Sequence, residues 1–270
     1  MVAVPHVWGV LNLTPDSFSD GGHYGDDHAA VTRATEMVAQ GASLIDVGGE
    51  STRPGATRIS PEEEQSRVLS TVGALVSGGI KVSVDTMNAS TARHAIAAGV
   101  SVINDVSAGL GDPDMMSVVG DSDVDYVLMH GRGPSKTMDD KAVYASVVDE
   151  VVAELRLRIE AAQHAGIAAH RIIVDPGVGF AKDPRHNWEL LAGLDHIVGL
   201  GFRVLVGVSR KRFLGELLPA DNEPVERDGM TATLGALLAD AGVWALRVHD
   251  VAAQRQALSV WQALGQRSQR

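Results

Sequence analysis

The sequence contains no cysteine. That excludes disulfides, thiolate metal sites and a cysteine nucleophile, and it suits a reducing, cytoplasmic compartment. Positive charge is also short. Lys and Arg number 23 against 34 Asp and Glu, a formal net charge of −11, which argues against a nucleic-acid-binding surface. No stretch approaches the roughly 18 uninterrupted apolar residues of a transmembrane helix. The opening segment MVAVPHVWGVLN has no basic region leading into a long apolar one, so no secretory signal is expected. The signatures GxSxG, GxGxxG and GxxxxGK[ST] do not occur either. With no nucleophile-and-base arrangement, chemistry here has to rest on binding, orientation and leaving-group stabilisation.

What is present is a rhythm. Eight short, β-branched apolar runs recur: 7–12, 43–48, 81–86, 101–106, 125–130, 171–177, 203–209 and 245–250. Segments of helical period lie between and after them, at 28–40, 61–77, 89–98, 113–120, 144–165, 186–199, 229–240 and 251–264. Gly41, Gly78, Gly99, Gly166 and Gly201 stand where helix C-caps would fall. Near-continuous apolar strands alternating with amphipathic helices imply a parallel sheet covered on both faces. Eight such units predict one (β/α)8 TIM barrel over residues 1–270, with an open doubly wound sheet as the alternative. Three connections are long: 12–27, 48–60 and 131–143.

The strand-like runs end in polar residues: Asn12, Asp46, Asp85, Asn104 with Asp105, His130, Asp175, Ser209, and Arg247 with His249. In a parallel barrel all these ends gather on one face, the face that carries active sites. Asp85, Asn104 and Asp175 supply acceptors and one amide, suited to a flat heterocycle with adjacent N–H donors. Lys211 could meet a ring carbonyl or nitrogen. A cation held by the same carboxylates is the rival reading. A basic constellation follows strands seven and eight, with SRKRF at 209–213 and Arg247 and His249 at alternate positions on one face, where such barrels bind phosphate. The 48–58 loop, with Arg53, Arg58 and Pro54, reads as a lid. In the 12–22 loop, Asn12 could meet a metal ion or phosphate, and Asp16 and Asp20 could face a cationic transition state.

The segments NLTPDSFSDGG, DVGGESTRPGA, VSVDT, VINDVS, LMH, IVDPGVGFAK, GVSRKRFLG and RVHDV occur in this order. Together they resemble the bacterial dihydropteroate synthases, a family of pterin-binding enzymes, over nearly the whole chain. The resemblance implies a homodimeric, Mg²⁺-dependent barrel that joins 6-hydroxymethyl-7,8-dihydropterin diphosphate to 4-aminobenzoate. It places Asp85, Asn104, Asp175 and Lys211 in the pterin pocket. Asn12 (also on Mg²⁺), Arg53, Arg247 and His249 fall at the diphosphate. Phe18, Thr52, Pro54, Phe180, Ser209 and Lys211 fall around the aminobenzoate, where sulfonamide inhibitors compete. A dissociative reaction is implied, with Asp20, Arg53 and Lys211 as the catalytic residues. Two stretches depart from the family pattern: Gly131 follows LMH where Met is common, and RDGMTAT precedes the penultimate helix. A pterin-binding methyltransferase and a non-catalytic pterin-binding paralogue are the alternative functions.

Overall fold

A computed structural model describes residues 3–14, 23–52 and 55–267 of the chain. The expectations placed on Asp16, Phe18, Asp20, Arg53 and Pro54 therefore lie outside the described residues. Eight strands form: β1 (His6–Asn12), β2 (Leu44–Gly48), β3 (Val82–Asp85), β4 (Val102–Asp105), β5 (Asp125–Met129), β6 (Ile172–Asp175), β7 (Arg203–Val206) and β8 (Ala245–Val248). They pair in chain order, every pair parallel, and β8 closes onto β1. The described helices are α1 (His23–Ala39), α2 (Pro61–Ser77), α3 (Ala89–Ala97), α4 (Met115–Gly120), α5 (Val147–His164), α6 (Pro184–Ala192), α7 (Leu194–Val198), α8 (Arg212–Gly215), α9 (Asp228–Ala239) and α10 (Val251–Arg267). This is the (β/α)8 barrel that the rhythm predicts.

Local chemistry sets the ends. Ser60 caps α2, its hydroxyl accepting from Glu63 N at 3.2 Å, and Pro61 follows at the first helical position. The helix expected over 186–199 divides at Gly193 into α6 and α7, and α6 begins two residues early because Asp183 caps it and Pro184 can start it. The expected helix from 28 begins instead at His23. After α2 the residue in the left-handed region is Gly79 rather than Gly78.

The barrel interior is a small layer of Trp8, Leu44, Val102, Val127, Ile173, Leu205 and Ala245, all buried. Their chain neighbours Val7, Ile45, Ile103, Leu128, Val174 and Leu246 pack outward against the helices. Side chains alternate along a strand, so the residues two further on point inward again, one layer nearer the C-terminal mouth. The polar ones among them are Asp46, Asn104, Asp175 and Arg247, and Asp85 stands in register with Gly48 and Asn104 at the same level.

Candidate active site

The inward direction of this polar layer is fixed by its own contacts. Asp46 on β2 accepts from Asn104 Nδ2 on β4 at 3.0 Å and from Arg247 Nε on β8 at 2.5 Å. Strands two apart can meet this way only across the barrel lumen. Arg247 Nη2 also donates to Asp85 Oδ2 at 2.9 Å. The guanidinium thus bridges two buried carboxylates, a charge-assisted arrangement that offsets part of their desolvation. Burial pushes the Asp85 carboxyl up to about 8 although Arg247 pulls the other way. Asp46 is fully buried, and its Oδ1 has no hydrogen-bond partner among the described residues. Because Asn104 turns its Nδ2 toward Asp46, its oxygen is left as an acceptor.

On the far side of the mouth, Asp175 Oδ1 accepts from Gly177 N at 2.7 Å, and burial raises its carboxyl while Lys211 opposes that. Lys211 Nζ donates to the Val178 carbonyl and stands 4.8 Å from the centroid of the Phe180 ring. Burial pushes its ammonium down to about 8, with Asp175 opposing and Arg247 assisting. Ser209 Oγ lies 2.9 Å from His249 Nδ1 and accepts from His249 N at 3.1 Å, tying the end of β7 to that of β8. Asn12 ends β1 opposite Gly48. A Cβ at Gly48 would come within 3.5 Å of Asp85 Cβ and 3.9 Å of Asn12 Oδ1, so glycine there keeps the space beside Asn12 clear. Its one neutral oxygen suits a hard cation whose other ligands are phosphate oxygens and water. The described residues hold no group of three or more His, Cys, Asp or Glu able to bind a metal by themselves.

The structure therefore gathers Asn12, Asp85, Asn104, Asp175, Phe180, Ser209, Lys211, Arg247 and His249 at one mouth. Thr52 sits in the β2–α2 loop, which Ser135 pins from the β5–α5 loop through Thr52 O (3.4 Å) and Gly55 N (3.0 Å). The triple charge of SRKRF is corrected. Arg210 has φ +59 and forks onto Asp228 of α9 at 2.8 and 2.7 Å, and Arg212 reaches Asp139, so Lys211 alone of the three enters the site. Arg58 likewise turns to Asn88 at 2.7 Å and to Glu50. Asp105, one residue from Asn104, points outward, where it accepts from Ser107, Gly109 and the Tyr126 hydroxyl and stabilises the turn after β4. Sequence reasoning singled out Asp46 as a strand-end residue but gave it no role. Its parity with Gly48 and Leu44 was the available signal.

His130, at the end of β5, also points outward. Its Nε2 meets Glu154 of α5 at 2.9 Å and its Nδ1 meets Lys182 Nζ at 2.9 Å. Burial and the Lys182 charge hold His130 down to about 4. An unfolded chain takes up that proton near 6.5, so it binds a proton between pH 6.5 and 4 that the folded chain refuses, and stability falls across that window. His130→Asn does not titrate. Urea unfolding at a series of pH values should show the parent losing up to about 3 kcal/mol relative to this variant as pH falls from 6.5 to 4. A gap independent of pH would contradict the neutral His130.

Comparison with known proteins agrees with this geometry. Residues 8–249 match the family model described as pterin binding enzyme. A dihydropteroate synthase of Mycobacterium leprae (strain TN) is 47% identical over 264 residues, covering 96% of this chain and 93% of that one. The solved structure of Xanthomonas albilineans dihydropteroate synthase with 4-aminobenzoic acid superposes with a TM-score of 0.91 at 44% identity, covering 98% of this chain and 94% of that one. The complex of that organism's enzyme with 7,8-dihydropteroate gives 0.87 at 41% identity, with 98% and 95% covered. The chain belongs to the pterin-binding enzymes, as a transferase of their dihydropteroate synthase family.

Proposed function

We propose that this chain joins 6-hydroxymethyl-7,8-dihydropterin diphosphate to 4-aminobenzoate, giving 7,8-dihydropteroate and pyrophosphate. The observation that carries the reading is the meeting of Asp85, Asn104 and Asp175 with Lys211 and Arg247 inside one barrel mouth. Three acceptors suit the N–H groups of an aminopyrimidinone ring, and Lys211 donates to a ring acceptor. Ring donors that bind Asp85 compete with Arg247 for its Oδ2, which frees one guanidinium edge for the diphosphate. His249 and Arg53 flank the same group in this reading.

The reaction is dissociative. The bond from the pterin methylene carbon to the diphosphate oxygen breaks first, and its electron pair leaves with pyrophosphate. The buried carboxylates of Asp46 and Asp175 favour the cation that remains. The arylamine nitrogen then gives its lone pair to the methylene carbon, and an N–H proton is released. Asp20 faces the cation in this scheme. Phe18, Thr52, Pro54, Phe180 and Ser209 wall the arylamine, which is also where a sulfonamide competes. Asn12 and the diphosphate oxygens would hold Mg²⁺. When bound, the ion neutralises charge on the departing pyrophosphate. A homodimer in the cytoplasm completes the reading.

The test is a product assay on the purified protein with both substrates, with Mg²⁺ or EDTA, and with or without a sulfonamide. Dihydropteroate and pyrophosphate in equal amounts, dependent on Mg²⁺, are expected. Tight pterin binding without turnover would replace this reading by a non-catalytic one.

A further inference from the structure

Lys182 is a buried ammonium that the scheme above does not use. It lies on the loop between β6 and α6, only 7% exposed. Three acceptors surround its Nζ: His130 Nδ1 at 2.9 Å, Gly177 O at 3.0 Å and Phe180 O at 3.1 Å. An ammonium has three N–H donors, so each finds one partner. Because Lys182 donates, His130 Nδ1 must accept, and His130 Nε2–H donates to Glu154. Arg132 holds Glu154 in turn.

The clamped loop carries the contacts of Lys211. Val178 O receives its ammonium, and the Phe180 ring lies beside it. The loop is also tightly seated. Gly177 has φ +66, and a Cβ there would fall 1.8 Å from His130 O. At Gly179, φ +78, a Cβ would meet Lys211 Cδ at 2.9 Å. Both positions accept only glycine without movement. The loop therefore has one seat, pressed against the end of β5, and two of its four carbonyls between 177 and 180 are held by Lys182.

We propose that Lys182, oriented by His130, is a positioning residue for the arylamine: it fixes the 177–180 loop so that Phe180 and Lys211 present one wall of that subsite. This rests on the function proposed above and adds a residue to it. Of the pterin-facing groups, Asp85 and Asn104 stand on strands away from this clamp, and Asp175 and Lys211, which meet the loop at Gly177 N and Val178 O, keep their own backbone anchors at the ends of β6 and β7. Burial, reinforced by Lys211, pushes the Lys182 ammonium down to about 7, with Asp175 and Glu154 opposing. Burying a charge at this cost fits a group retained for orientation.

The test compares steady-state kinetics of the parent, Lys182→Met, His130→Leu and His130→Asn. Losing one or more partners of a buried clamp costs about 1–3 kcal/mol, roughly a tenfold effect. Lys182→Met and His130→Leu should raise KM for 4-aminobenzoate about tenfold while KM for the pterin diphosphate stays within about threefold. His130→Asn keeps an acceptor toward Lys182 and should stay near the parent. If Lys182→Met does not fold, the His130 pair decides. Equal shifts in both KM values, or none, overturn the inference while parent turnover leaves the function standing. A parent that makes no dihydropteroate overturns the function, and this inference with it.

Discussion

Lys211→Ala is expected to lower kcat/KM by about 10²–10³-fold, the scale for losing one preorganised charged donor in a water-poor site. Its ammonium is committed to the Val178 carbonyl, stacked beside Phe180 and opposed by Asp175. It is also the one cation of SRKRF that enters the mouth, because Arg210 and Arg212 are engaged with Asp228 and Asp139. No neighbour on that loop can substitute. The chain should fold normally, since the Lys211 side chain is half-buried and Asp175 keeps its hydrogen bond from Gly177 N. The pH dependence carries the same signature. Burial lowers the Lys211 ammonium to about 8, so kcat/KM of the parent should fall above about pH 8 as the charge is lost. Steady-state assays of parent and variant from pH 6 to 9 measure both. A variant within about threefold of the parent would remove Lys211 from the reaction.

Arg247→Leu is expected to cost about 3–5 kcal/mol of stability as well as activity, because breaking a buried pair strands its partners. Here two carboxylates are stranded, Asp46 and Asp85, held at 2.5 and 2.9 Å from the guanidinium. The sign with pH follows from Asp85. Its folded carboxyl already titrates well above its unfolded value, because burial raises it more than Arg247 lowers it. Removing Arg247 raises it further. The folded variant then binds a proton that the unfolded chain gives up above about pH 4, so its stability falls as pH rises through the neutral range. The parent shares that fall up to about pH 8, where its own Asp85 titrates, so the deficit should be level below about pH 8 and widen above it. Urea unfolding at pH 6, 8 and 9.5 checks the magnitude and the sign. Adding Asp85→Asn should recover part of the loss, as expected for groups in one network. A deficit that does not widen above about pH 8, or a double variant that is strictly additive, would contradict the bridged arrangement.

How much of this was legible from the chain depends on the range of the interaction. Strand alternation is local: Leu44 and Asp46, Val102 and Asn104, and Ile173 and Asp175 each differ by two residues, so one face of each run could be read as apolar at its base and polar at its end. The mouth of the barrel followed from eight such runs. The partners did not follow. Asp46 and Asp85 lie 201 and 162 residues before Arg247, and nothing local marks them as its counter-ions. The same limit hid Lys182, an ordinary lysine after GVGFA until His130, 52 residues earlier, closes over it. It also made SRKRF look like one cluster, because the +59° φ of Arg210 that turns its side chain toward α9 is not written in the residue type.

The sequence by itself determined the number of strands, their parallel run and which residues end them, because period and spacing are properties of neighbours along the chain; closure of β8 onto β1, rather than an open sheet, came only with the tertiary structure. The tertiary structure alone decided which of those polar ends face the lumen together, which charges neutralise one another there, and which lysine is clamped among three acceptors. Those are settled by contacts between distant segments, where burial makes the pairing of each charge obligatory and its partner a matter of three-dimensional position.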